Sequence, residues 1–126
     1  MNAFSTRLQR TTPVGALVEG ATPEGVSDLS GNIDEWTLSL FGEIADMGDN
    51  ITDHGYPYRA DDGREDVTAP STAARVVRGG SWCLNAHRAR AVYRFWSLPG
   101  YRNRDLGFRL VVSSPNSSGQ LAAGAA

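Results

Sequence analysis

Cys83 and His87 are the residues whose types and spacing come nearest to nucleophilic catalysis. A cysteine attacks as its thiolate, and a histidine four positions on activates it only if the fold turns the two side chains together. Spacing alone does not license that, so Cys83 reads as a lone cysteine at a tolerant position and no catalytic residue is assigned. The two histidines, His54 and His87, have no ligand spacing, and a single cysteine excludes an intrachain disulfide and any multi-cysteine zinc site. Asp46, Asp49, Asp53, Asp61, Asp62, Glu65 and Asp66 offer hard oxygen ligands, but they lack the calcium-loop pattern that closes on a bidentate glutamate. That stretch reads as a turn-forming acidic loop, and no metal or other cofactor is expected. Arg88, Arg90, Arg94, Arg102 and Arg104 alternate with Tyr93, Phe95, Trp96 and Tyr101, a mixture able to stack on bases. The net charge of −2 and the pI of about 5.6 argue against a nucleic-acid partner.

A chain of 126 residues must position these groups, which is one domain's worth. Such a chain buries roughly two thirds of its unfolded surface, enough for one modest core. With 40% hydrophobic and 21% charged residues the composition is that of a globular protein. No apolar run approaches the roughly 18 residues that span a bilayer, so no membrane insertion by this chain is expected. The first ten residues lack a basic region followed by an apolar one, so no signal peptide is read there. All 12 basic residues are arginine, whose planar fork suits fixed pairing with carboxylates. The 14 glycines and 6 prolines, spread along the chain, predict many turns and few long helices.

Along the chain, residues 1–10 read as an N-terminal lead, either flexible or packed as a strand. Residues 11–31 are turn-rich, and Ile33 to Phe41 fits a short strand or a helical turn equally. Gly42 to Pro70 is a long irregular stretch, which in a compact domain is functional or held by something. Arg75-Val76-Val77-Arg78 predicts a strand ending at Gly79-Gly80. Alternation of Ala89, Ala91, Tyr93 and Phe95 with Arg90, Val92, Arg94 and Trp96 predicts a second. Leu106 to Val112 predicts a third, and residues 114–126 read as a flexible tail. The expected architecture is α+β, with short strands and high loop content.

Several of these segments together resemble a known family. Gly31-Asn32-Ile33-Asp34-Glu35-Trp36-Thr37 is similar to the Gly-Asn-x-x-Glu-Trp signature of formylglycine-generating-enzyme-like (sulfatase-modifying factor) domains. Tyr56-Pro57-Tyr58 and Asp62-Gly63-Arg64-Glu65-Asp66 resemble the loop that follows. Arg75 to Trp82, then Tyr93-Arg94, then Leu106-Gly107-Phe108-Arg109 resemble the C-terminal signature in order. The resemblance implies a C-type-lectin-like fold over residues 11–113. Within it, Gly79-Gly80 suits a close backbone approach, while Trp36, Trp82 and Phe108 would fill a helix-poor core. Asn32 and Glu35 would brace loops through hydrogen bonds to backbone groups or to arginines such as Arg94 or Arg109. Enzymatic members use a cysteine pair after the Gly-Gly-Ser segment, and this chain has Cys83 alone. The asparagine expected before Gly25 in the family's calcium site is replaced by Thr22 or Pro23. The chain reads as a minimal version of the fold or as the C-terminal piece of a longer protein.

Residues 82–108 further resemble the variable region of proteins diversified by retroelements, in which adenine-directed mutagenesis rewrites asparagine codons. The fixed frame would be Gly79 to Trp82, Ala86, Ala89-Arg90-Ala91, Tyr93-Arg94, Pro99, Arg102 and Leu106 to Arg109. The varied, ligand-binding positions would be Cys83, Leu84, Asn85, His87, Arg88, Phe95, Trp96, Ser97, Leu98, Tyr101, Asn103, Arg104 and Asp105. An asparagine codon changed only at its adenines reaches each of these residue types except Trp96. Large apolar and arginine side chains beside the Pro99-Gly100 turn suit an interface. The resemblance thus implies a non-enzymatic variable protein of a diversity-generating retroelement, binding a protein or glycan target at a cell or phage surface. It would be displayed on a phage particle or cell surface through a partner, with oligomerisation left open. The competing expectations are a formylglycine-generating-enzyme-like oxidase domain, which the missing cysteine pair opposes, and a non-variable sensor or scaffold domain of the same fold.

Overall fold

The computed structural model describes residues 1–45 and 50–112. Asp46, Asp49 and the tail at 114–126 lie outside the described residues. A five-stranded sheet is built from β1 (Asp34–Ala45), β2 (Asn50–Asp53), β3 (Ala73–Arg78), β4 (Phe95–Ser97) and β5 (Leu106–Gly107). Its order is β2-β1-β3-β4, with β5 pairing the start of β1 in parallel and the other pairs antiparallel. Three single-turn 3-10 helices, Phe4–Thr6, Val18–Gly20 and Ala86–Ala89, complete the described secondary structure. No helix among the described residues is long and apolar enough to cross a membrane.

β3 forms where the sequence predicts it. Ala73, Ala74, Val76 and Val77 are buried between neighbours on both sides, and Arg75 and Arg78 keep their guanidinium groups at the surface. The ambiguity over Ile33 to Phe41 resolves as strand, and that strand runs on to Ala45. Its register against β3 shifts between Trp36 and Gly42, where the Leu40 N–H donates to the Arg64 carbonyl at 2.6 Å instead. The bulge turns Leu40 into the core while Leu38 stays exposed.

The irregular middle is held by its own charges. Arg64, 4% exposed, grips Asp62 with Nε at 2.9 Å and Nη2 at 2.6 Å, and Nη2 also donates to the Gly55 carbonyl. Its guanidinium carbon sits 4.9 Å from the Tyr58 ring centroid. Glu65 accepts from Ser39 at 2.6 Å and from Tyr58 at 3.0 Å, tying the loop to β1. The bidentate guanidinium holds the Asp62 carboxyl well below the usual carboxylate range.

Three expectations need correction. Residues 89–96 are not a strand: Ala86–Ala89 is a 3-10 turn, Tyr93 N–H bonds back to the Arg90 carbonyl, and pairing with β3 begins only at Phe95. The strand expected over 106–112 is confined to Leu106–Gly107. Beyond it the chain leaves the sheet where Arg109 takes Glu35 as a bidentate partner and donates to the Ser27 and Asp28 carbonyls. Phe108 is consequently 69% exposed and contributes nothing to the core. Of the two alternatives for residues 1–10, packing is seen at Asn2 and Ala3, each 1% exposed, with a 3-10 turn at Phe4–Thr6 rather than a strand. Asn2 accepts from Thr6, and its side-chain amide donates to the Arg10 carbonyl at 2.8 Å. Asn32 completes this bracing, accepting from the Thr12 backbone N–H at 2.9 Å and donating to the Thr12 carbonyl.

Candidate functional site

The face bearing most of the expected varied positions starts from a glycine turn. Gly79 and Gly80 both take positive φ, +100° and +71°. A Cβ on Gly80 would lie 2.9 Å from the Ala89 backbone nitrogen, so only glycine lets the Ala86–Ala89 turn press against the end of β3. The Gly80 N–H donates to Asp34 at 2.8 Å, and Ser81 and Trp82 follow into the interior.

Asp105 closes the far end of the segment from inside. It is 5% exposed, and its carboxylate accepts from Ser81 Oγ at 2.7 Å and Cys83 Sγ at 2.9 Å. Its carbonyl accepts the Asp34 N–H at 2.8 Å. Burial, with Asp105 nearby, pushes the Asp34 carboxyl up to about 6. Burial and the hydrogen bond to Asp105 push the Cys83 thiol up as well, the opposite of what a nucleophile or metal-ligating thiolate needs. Asp105, assigned from sequence to the binding positions, is a bracing residue instead, because its oxygens are spent inside the fold.

The remaining assigned residues fall into two depressions and a set of ring contacts. Leu84, Asn85, Arg88 and the edge of Cys83 line a depression of about 370 Å³, with Phe4 from the N-terminal turn. Trp96, Ser97, Leu98 and Tyr101 line a second of about 460 Å³, with Gly100 and Ser71. Arg88, at the first depression, has its guanidinium carbon 5.2 Å from the Phe95 ring centroid and 5.6 Å from that of Tyr93. His87 meets the Tyr93 ring edge-on at 6.1 Å. Phe95 stacks on Trp96 at 6.3 Å and 21°, and Trp96 rests on Phe41 at 6.3 Å. Arg104 lies 4.8 Å over the Trp82 ring, and Asn103 donates to the Tyr101 hydroxyl at 3.3 Å. Sequence reasoning missed Phe4 and Ser71, which arrive from distant parts of the chain. Neither carries a signal in the sequence, and the 59% exposure of Phe4 emerges only from the fold.

Among the described residues no group of three or more His, Cys, Asp and Glu side chains is placed to hold a metal. The cysteine-pair centre of the enzymatic resemblance does not fit these residues, since the one thiol donates to a buried carboxylate and the sequence holds no second cysteine.

Residues 2–114 match the sulfatase-modifying factor enzyme 1-like domain. The chain is 32% identical over 102 residues to a hercynine oxygenase of Mycolicibacterium thermoresistibile and 29% identical over 102 residues to that of Mycobacterium tuberculosis. Each similarity covers 80% of this chain and 21% of the relative, so the chain spans about a fifth of those proteins. Among solved structures, Treponema denticola variable protein 1 is similar at a TM-score of 0.53 and 29% identity, over 85% of this chain and 34% of that one. The C-type-lectin-like α+β fold expected from the sequence agrees with this neighbour, as does the resemblance to retroelement variable proteins.

Proposed function

The chain belongs to the sulfatase-modifying factor enzyme 1-like domain family, and from that premise we propose that it is a ligand-binding variable protein. It presents residues 83–104 as a recognition surface for a protein or glycan target at a cell or phage surface and catalyses no reaction. One observation carries the reading. Within residues 79–109 the buried residues are Gly80, Ser81, Trp82, Ala89 and Asp105, and all but Asp105 belong to the expected frame. The varied positions other than Asp105 are half-buried or exposed, so their side chains can change without altering the interior. Likeness to a variable protein supports the same reading.

Replacing Phe95, Trp96 and Tyr101 together with alanine should abolish capture of the target while the cooperative thermal transition is retained. Retained capture overturns the reading. Sequencing the DNA around the gene provides an independent check. A second copy of the segment encoding Trp82 to Phe108, differing only at adenines and lying beside a reverse transcriptase gene, is the expected result. Similarity to hercynine oxygenases favours a second reading, an oxygenase-type domain whose remaining residues lie outside this chain. Stoichiometric iron or copper binding by the purified chain would support it.

A further inference from the structure

We propose that the partner of this face is a protein surface that presents carboxylates around an apolar anchor, an inference that rests on the reading of the face as a recognition surface. Residues 82–104 contain five arginines and no Asp or Glu, in a chain whose net charge is −2. The acidic residue that follows, Asp105, is buried and occupied by Ser81 and Cys83. The segment is therefore a run of positive charge in an otherwise acidic chain.

Four of its arginines, Arg88, Arg90, Arg102 and Arg104, form no ion pair among the described residues, whereas Arg59, Arg64 and Arg109 do. Their direct contacts are rings and carbonyls: Arg88 over Tyr93 and Phe95, Arg104 over Trp82, Arg90 to the His87 carbonyl, and Arg102 to the Pro99 and Tyr101 carbonyls, with Arg88 also within electrostatic reach of Asp34. A guanidinium held over a ring spends its face on the π system and keeps in-plane N–H donors at its edge for a carboxylate. The side chain is also ordered before the partner arrives, which lowers the entropy lost on binding.

The aromatic groups point to a protein rather than a nucleic acid or glycan. Base or sugar recognition by stacking needs open ring faces. Here the Phe95 ring meets Arg88 and Trp96, the Trp96 ring meets Phe95 and Phe41, and the Trp82 ring meets Arg104. What remains open is the depression edged by Trp96, Leu98 and Tyr101, shaped to take an apolar side chain. The overall negative charge also opposes approach to a polyphosphate backbone.

The test uses the full chain and three fluorescein-labelled peptides that share a central Leu-Phe and are flanked by Glu, by Gln or by Lys. Binding is followed by anisotropy and by Trp fluorescence. The Glu peptide should bind about tenfold tighter than the Gln peptide and weaken at high salt. Arg88→Gln with Arg104→Gln should remove that advantage, and Arg88→Glu with Arg104→Glu should transfer preference to the Lys peptide. Unchanged thermal transitions identify variants that have kept the fold. Equal binding of Glu and Gln peptides, with Trp fluorescence responding to both, overturns the acidic partner and leaves the recognition surface standing. Tighter binding of an oligothymidylate or a sulfated glycan than of the Glu peptide overturns the choice of partner class. Failure of all three peptides to bind also overturns the proposal, and the alanine variants above then judge the recognition surface by itself.

Discussion

Gly80→Ala should destabilise this domain well beyond Gly63→Ala or Gly100→Ala, and those two sister substitutions separate the causes. At Gly80 two costs coincide. Its φ of +71° is a left-handed conformation, which costs a residue with a Cβ about 1–2 kcal/mol. The added Cβ would also meet backbone atoms, at 2.9 Å and 3.0 Å from Ala89 N and Cα, and backbone does not rotate away as a side chain tip does. Overpacking of that kind costs about 1–3 kcal/mol. Less unfolded-state entropy for alanine returns about 0.4–1 kcal/mol, leaving a net loss of about 2–4 kcal/mol. With unfolding entropy near 2.1 cal/mol/K per residue, each kcal/mol lowers Tm by about 4 °C in a domain of this size. The expected fall is therefore about 8–15 °C. Gly63 has φ +85° with nothing within 4 Å, so Gly63→Ala isolates the backbone cost and should lose about 1 kcal/mol. Gly100 has neither feature, so Gly100→Ala should stay within about 0.5 kcal/mol of the parent or exceed it. Urea unfolding followed by far-UV circular dichroism measures all three. A Gly80→Ala variant no less stable than Gly63→Ala would refute the close approach of the Gly80 turn to Ala89, and with it the foundation of the face.

Further predictions concern the carboxylates of half-buried Asp34 and buried Asp105. Asp34 is pushed from 3.8 up to about 6 in the folded protein, so the fold holds this proton more tightly than the unfolded chain does. Its contribution is fully present below about pH 4 and is lost as pH rises through about 6, with a full-strength effect near 3 kcal/mol that solvent access reduces to about 1–2 kcal/mol. Asp34→Asn should remove this dependence, so that the variant gains on the parent between acid and neutral pH; a stability difference constant across that range would contradict the assignment. Cys83 should alkylate with an inflection above that of a free cysteine, and Asp105→Asn should shift that inflection downward. The same substitution should cost about 1–3 kcal/mol of stability, because Ser81 loses a charged acceptor in a buried position, and calorimetry would detect it.

The motif residues and the fold are related unevenly. Gly79-Gly80 was legible because positive φ and close packing both select glycine. The Glu35–Arg109 pair was legible because arginine suits a bidentate carboxylate, and Arg109 rather than Arg94 takes that role. The alternation over 89–96 misled, since a period of two also arises in a chain that crosses a surface in turns. The apolar run after Gly107 misled for a related reason: strand-forming residues become strand only where an edge is free to pair, and β1 offers β5 only Asp34 and Glu35. Asp105 was misplaced because a varied-looking codon says nothing about which way its side chain points.

By itself the sequence determined the family and the fold class, because glycine turns, paired charges and motif order are local or ordered along the chain. The tertiary structure decided that Asp105 turns inward, that Leu84 and Arg88 edge one depression and Trp96 and Tyr101 another, and that Phe4 and Ser71 join them. Those outcomes depend on contacts between residues far apart in the chain, whose closeness is set by how the backbone of β3 meets the Ala86–Ala89 turn and the start of β1. No spacing along the sequence encodes that meeting.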